Sequence, residues 1–256
     1  CTQGEGWIVV LDEGRELLPH FYRNVPICLQ VLRPNNRDVE AFWEAKVQAV
    51  REYLVAFPEV SFVIVSDDDV WVNPMSREEV LRNFYDAVGN ESKLLTATEQ
   101  SCWAGRYCSM EVANQFLAIA RSWHPDLTTF LHSQYMGERG PVLEMLEKLP
   151  GLMDKLGGRD DQLALMGYFE ERPWPVRIDA GEKLFLSMTR GMFPEEGGRY
   201  TCNFGQYATM SCFPNYPWGA CQAEYGWVAV AGISGGVGGF KTPLIVHFNG
   251  PSSLVM

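Results

Sequence analysis

No run of apolar residues in this chain approaches the roughly 18 that a membrane span requires, and no signal-peptide pattern opens it. Basic residues are few. The 21 Lys and Arg against 32 Asp and Glu leave a formal charge of −11, which argues against a nucleic-acid partner, because binding to a phosphate backbone rests on clustered cations. An anionic substrate would need local help from a metal or from a few placed cations. Internal repeats and low-complexity linkers are absent, so one continuous domain over residues 1–256 is expected. No cysteine spacing resembles a zinc site. Cys102 and Cys108 are six apart, and Cys202, Cys212 and Cys221 lie in a loop rich in Gly, Pro and aromatics. Seven cysteines are compatible with a secretory compartment, although the odd count leaves at least one thiol free or paired outside the chain. The sequence starts at Cys1 without a methionine, which suggests a processed or excised segment, and Asn90-Glu91-Ser92 is a glycosylation sequon of low specificity.

The chain does have ample material for a core, at 46% hydrophobic and 21% charged residues. Its first ninety or so residues alternate strand and helix signals. Trp7 to Leu11 reads as a short apolar strand, Glu16 to Arg23 as a helix and Ile27 to Leu32 as a second strand. Asp38 is placed to cap a helix that Pro58 stops after Phe57. Val39, Trp43, Val47, Val50, Leu54 and Phe57 recur at steps of three and four, which defines one buried stripe. Lys46 falls inside that stripe, so it either snorkels to the edge or is aimed at an anion in a cleft. Phe62 to Val65 is an unbroken apolar run, as in a strand buried on both faces. A helix from Arg77 to Val88 and a strand from Lys93 to Thr98 follow. This order predicts a mostly parallel α/β sheet with helices on both faces. Further on, Val112 to Trp123, Val142 to Leu156 and Gln162 to Phe169 read as helices, and Val176 to Ile178, Leu184-Phe185 and Leu244 to Phe248 as strands. A loop-rich insertion is expected at about 189–240.

Chemistry is concentrated where the apolar run ends, at Asp67, Asp68 and Asp69. Ligands of parallel sheets bind at the carboxyl ends of strands. Side chains alternate along a strand, so Asp67 and Asp69 are expected to share a side and to converge on one hard cation, with Asp68 opposed. A solvated acidic turn is the bland alternative. His247, at the end of the last apolar strand, is either a satisfied core residue or a third ligand. Asp160-Asp161-Gln162 follows Gly157-Gly158 and precedes an apolar helix, so its carboxylates either cap that helix or meet hydroxyls at the mouth of a cleft.

These segments, taken in order, resemble GT-A type glycosyltransferases, in particular the nucleotide-sugar transferase domain of the procollagen lysyl hydroxylases and related collagen glycosyltransferases. The likeness covers most of the chain. It rests on Trp7 to Asp12, Lys46, Val63 to Trp71, Leu95 to Trp103, Leu131-His132-Ser133-Gln134-Tyr135-Met136-Gly137, Asp160-Asp161-Gln162-Leu163, Ile178 to Phe185 and His247-Phe248-Asn249-Gly250-Pro251. Departures are also present: Gln134 and Tyr135 stand where the family has glycines, His132 replaces an asparagine and Phe248 a glycine. The resemblance implies a Rossmann-like fold and transfer of a hexose, glucose or galactose, from a UDP-sugar to a protein or glycan hydroxyl such as a collagen hydroxylysine. It implies Mn²⁺, or Mg²⁺ in its place, held by Asp67, Asp69 and His247. It places Val10, Asp12, Lys46, Asp68, Asn249 and Gly250 near the nucleotide and Glu99 and Trp103 beside the sugar. Asp161 or Asp160 would orient reacting hydroxyls, in the lumen of the endoplasmic reticulum or Golgi or after secretion. Two other readings remain, a catalytically inactive relative and a haloacid-dehalogenase-type phosphatase. The second wants a small residue where Trp71 stands.

Overall fold

A computed structural model describes residues 1–11, 16–17, 22–34, 39–68, 70–90, 93–99, 105–123, 130–173, 175–179, 183–188 and 243–248, with short backbone stretches between 195 and 241. The main sheet contains strands β1 (Gly4–Val10), β2 (Cys28–Leu32), β3 (Val60–Ser66), β5 (Leu94–Glu99), β6 (Phe130–Glu138) and β7 (Arg177–Ile178), in the order β2-β1-β3-β6-β5-β7. Five of these run the same way. Only β6 is reversed, antiparallel to both β3 and β5. A second, three-stranded sheet joins β4 (Val70–Val72), β9 (Ile245–Phe248) and β8 (Phe185–Met188).

Burial explains why these segments pair as they do. Phe62, Val63, Ile64 and Val65 are all buried, and alternate side chains serve two cores. On one face Trp7, Val9, Ile64, Leu95 and Met136 pack against helix α2 (Arg77–Val88) and against Phe185 and Ile245 of the small sheet. On the other, Ile8, Val63, Val65, Leu131 and Tyr135 pack against α1 (Val39–Ala56), α3 (Met110–Trp123), α4 (Arg139–Leu156) and α5 (Asp161–Glu171). The expected α/β class, mostly parallel sheet and helices on both faces are therefore observed.

Local signals set the element ends. Ser76 caps α2 by accepting from the Glu79 amide, and Gly89 closes it at φ 63°. Gly157, at φ 71°, ends α4 in the left-handed region. Asp160 then caps α5. Predicted and observed elements differ at several places, one of them β4, a strand at Val70–Val72 that the pattern does not predict. The sequence pattern predicts no strand over 130–138, because His132, Ser133 and Gln134 break the apolar pattern of a buried strand; β6 forms nonetheless, with Thr96 Oγ1 meeting the His132 and Gln134 carbonyls inside. Of the helix expected at Glu16 to Arg23, Glu16 and Leu17 are not helical and residues 18–21 lie outside the described ones. The loop-rich insertion includes short antiparallel strands, among them Arg199–Asn203 paired with Thr209–Ser211. Cys1 and Cys28 form a disulfide that ties the start of the chain to β2.

Candidate functional site

The strand β3 delivers Asp67 to the carboxyl edge of the sheet, and two hydrogen bonds fix that delivery. The Trp7 indole N–H donates to Ser66 Oγ at 2.8 Å, and the Tyr22 hydroxyl donates to the Asp67 carbonyl at 2.6 Å. Because β6 runs against its neighbours, its beginning lies at the edge where β3 and β5 end. That reversal brings His132 to Asp67. The small sheet, packed over the same face, adds His247 from β9. The two imidazole centroids are 4.3 Å apart, and their Nε2 atoms lie 3.9 Å (His132) and 3.7 Å (His247) from Asp67 Oδ2. One ligand atom from each of the three side chains falls within 4.8 Å of the others, a grouping able to hold a metal ion.

The other carboxylate oxygen of Asp67 has a different partner. Lys46, only 2% exposed within the apolar stripe of α1, donates to Asp67 Oδ1 at 2.6 Å and pairs with Asp161 Oδ2 at 2.9 Å. Lys46 therefore neither snorkels outward nor points at open space; its ammonium is held between two buried carboxylates. Burial alone would raise the Asp67 carboxyl, but Lys46 and the two imidazoles outweigh it and hold the group well below the usual carboxylate range. Burial likewise opposes the charge on Lys46, and Asp161 and Asp67 overcome it, so its pKa is raised. Asp161 goes the other way. Burial, with Asp67 and Asp160 adding to it, pushes its pKa up to about 6 despite Lys46. The pair shares one cation, and Asp161 is the member that takes up a proton.

Burial, then the neighbouring His247, lowers the pKa of His132 well below 6.5, leaving a neutral ring near pH 7. The backbone N–H of Gln134 donates to His132 Nδ1 at 3.2 Å. In the neutral ring the proton is then on Nε2, the atom that faces Asp67. His132 is thus set as a hydrogen-bond donor toward the cluster, and its Nε2 becomes a metal ligand only if the Gln134 contact is given up.

The remaining expected residues divide three ways. Asp160 accepts from the Leu163 amide at 2.9 Å as the cap of α5, which is the local role its sequence position allowed. It also borders an open groove of about 560 Å³ with Trp43, Gly157, Gly158 and Arg159. Val10 is buried at the end of β1, and Asp68 is half-buried at the bend after β3. Asp12, Asp69, Trp103, Asn249 and Gly250 lie outside the described residues, as does the side chain of Glu99. The sequence presents His132 only as a substitution within a motif. No local period joins it to Asp67, because the β5–β6 pairing is irregular over this stretch.

No protein-family model matches the chain, and no curated protein sequence does. A solved structure of a glycosyltransferase involved in the glycosylation of the major capsid of PBCV-1 aligns with 72% of this chain and 85% of that one, at 11% identity and a TM-score of 0.48. A likeness of that degree carries no information on donor, metal or acceptor.

Proposed function

We propose that this chain is a metal-dependent glycosyltransferase that moves a hexose, glucose or galactose, from a UDP-sugar to a hydroxyl on a collagen-like protein or a glycan. The observation that supports it most is the convergence of Asp67 Oδ2 with the His132 and His247 imidazoles at the edge where β3 ends. Open α/β sheets take nucleotides at that edge. The donors fit a divalent ion. A carboxylate with imidazole suits Mn²⁺, and Mg²⁺ is the harder alternative. The same donor types also serve non-haem iron, and any of these divalent ions would supply the positive charge that the cluster lacks. Lys46 is neutralised by Asp67 and Asp161, so this cluster offers an approaching diphosphate no net positive charge of its own.

In this reading Asp67 and His247 hold the ion, and Asp69 is the third protein ligand expected from the sequence. The bound cation would neutralise the diphosphate and stabilise it as a leaving group. Lys46 and Asp161 position the Asp67 carboxylate so that Oδ2 stays directed at the imidazoles. His132 donates its Nε2 proton to an oxygen in the cluster. Asp160, at the groove beside Trp43, is the candidate for orienting an acceptor hydroxyl. Val10, Asp12, Asp68, Asn249 and Gly250 are assigned to the nucleotide and Glu99 and Trp103 to the sugar. The Cys1–Cys28 disulfide supports a secretory-lumen or extracellular location.

The test is UDP release from a panel of UDP-sugars with Mn²⁺, with and without hydroxylysine peptides and glycans. Turnover that chelation abolishes, and that Asp67→Asn and His247→Ala each reduce by more than about a hundredfold, is the expected result. Binding of UDP-sugar without turnover under every acceptor would indicate an inactive relative. Cleavage of phosphate esters without UDP-sugar binding would replace the transferase with a phosphatase.

A further inference from the structure

Gln134 is 1% exposed, and among the described residues neither its Nε2 nor its Oε1 has a hydrogen-bond partner. It is the only side chain of the described residues with buried polar atoms left in that state. Its backbone, by contrast, is engaged: the N–H donates to His132 Nδ1 and the carbonyl accepts from Thr96 Oγ1 at 3.2 Å. A buried amide without partners is costly, so a chain that keeps one is expected to meet it with something.

Its neighbours along β6 say where the residue sits. Leu131 and Tyr135 of β6 belong to the core under α1, α4 and α5, whereas Met136 belongs to the core under the small sheet. Gln134 lies between His132 and Met136, where the β5–β6 pairing is irregular: Thr96 and Thr98 are two residues apart, while their partners Tyr135 and Leu131 are four apart. Its backbone N–H, on His132 Nδ1, sets the residue beside the ring that stacks on His247.

The chemistry of the carboxamide narrows the ligand. A phosphate oxygen only accepts, so it would satisfy Nε2 and leave Oε1 facing an anion. A cation would satisfy Oε1 and repel the amide hydrogens. A pair of neighbouring hydroxyls satisfies both atoms, one oxygen accepting from Nε2 and the other hydroxyl donating to Oε1. We propose that Gln134 is a specificity residue that binds adjacent hydroxyls of the transferred pyranose, beside the Asp67–His247 cluster. The inference rests on the glycosyltransferase reading, and it gives the side chain at this position a part in choosing the donor sugar.

The experiment compares the intact chain with Gln134→Met and Gln134→Leu, which keep the volume and remove the amide. Thermal unfolding is measured without ligand, and calorimetric titration with Mn²⁺ uses UDP, UDP-glucose and UDP-galactose. Both variants should unfold at the original temperature or a few degrees higher, since an unsatisfied group has been removed. UDP affinity should change less than about twofold, while affinity for at least one UDP-hexose falls roughly tenfold or more, the loss expected for a polar site deprived of its partner. Lower melting temperatures with unchanged sugar discrimination would make Gln134 a structural residue and overturn the proposal. Equal weakening of UDP and UDP-hexose would overturn it as well. If the unmodified chain binds UDP but these variants behave as it does, this inference alone fails. If it binds no UDP compound, the glycosyltransferase reading fails and takes the inference with it.

Discussion

At the scale of single residues, the Lys46 cluster is where stability and function meet. Replacing Lys46 with Met leaves the Asp67 and Asp161 carboxylates buried beside each other without a cation, a loss of about 3–5 kcal/mol that denaturant titration would register. Asp161 makes the pH behaviour predictable. Its folded pKa, raised by burial to about 6 from 3.8, means that the folded state binds a proton more tightly than the unfolded one. The associated stability is fully present below about pH 4 and is lost as pH rises through 6, a change of roughly 3 kcal/mol. Asp67, held low, works in the opposite direction: its contribution is present above pH 4 and disappears on further acidification. His132, whose folded pKa is lowered, adds stability as pH rises through the same range, so the Asp161 contribution is read as a difference: the unfolding free energy of the original chain minus that of Asp161→Asn should fall from pH 4 to 7.5. A parallel pair of curves would remove Asp161 as the titrating group. Little of this was legible beforehand. The sequence marked Lys46 as out of place on an apolar face and Asp161 as a helix-start acid, but their contact joins residues more than a hundred positions apart.

Among elements, β6 decides the geometry of the site, and Gly137 decides β6. A Cβ there would lie 2.5 Å from the Lys93 carbonyl and 3.2 Å from the Leu94 Cα, both backbone atoms of the segment entering β5. Backbone cannot yield as a flexible side chain does. Gly137→Ala is expected to cost about 3 kcal/mol or more or to abolish soluble expression. Gly151, inside α4 with nothing near its would-be Cβ, is the matched control. Gly151→Ala should stabilise by about 0.5–1 kcal/mol in the same thermal assay. The cap at Asp160 offers a third measurement at this scale, since Asp160→Ala should lose about 1 kcal/mol with the Leu163 amide bond. The parallel strands and long helices were readable because their apolar residues keep a period. β6 was not, because its polar residues are buried by tertiary contacts that periodicity does not encode.

For the whole molecule, the disulfide joins Cys1 to Cys28, 27 positions apart, and closes a loop that contains β1 and ends at the first residue of β2. Cys1→Ala combined with Cys28→Ala should lower stability by about 3 kcal/mol, and a melting temperature that does not move would show the bridge to be without weight in folding. Both cysteines stand at the entry end of the first parallel strand pair, a relation that spacing could not reveal. By itself the sequence determined the α/β class, most element positions and the acidic strand end, because hydrophobic period and turn chemistry are local. It also marked Asp67 and His247 as candidates, from their places at strand ends. Only the tertiary structure decided that β6 runs backwards, that His132 joins the cluster, that Lys46 is divided between Asp67 and Asp161, and that Gln134 is buried without a partner. Each of these depends on which segments distant in sequence are pressed together, and that is settled by packing the two faces of one sheet.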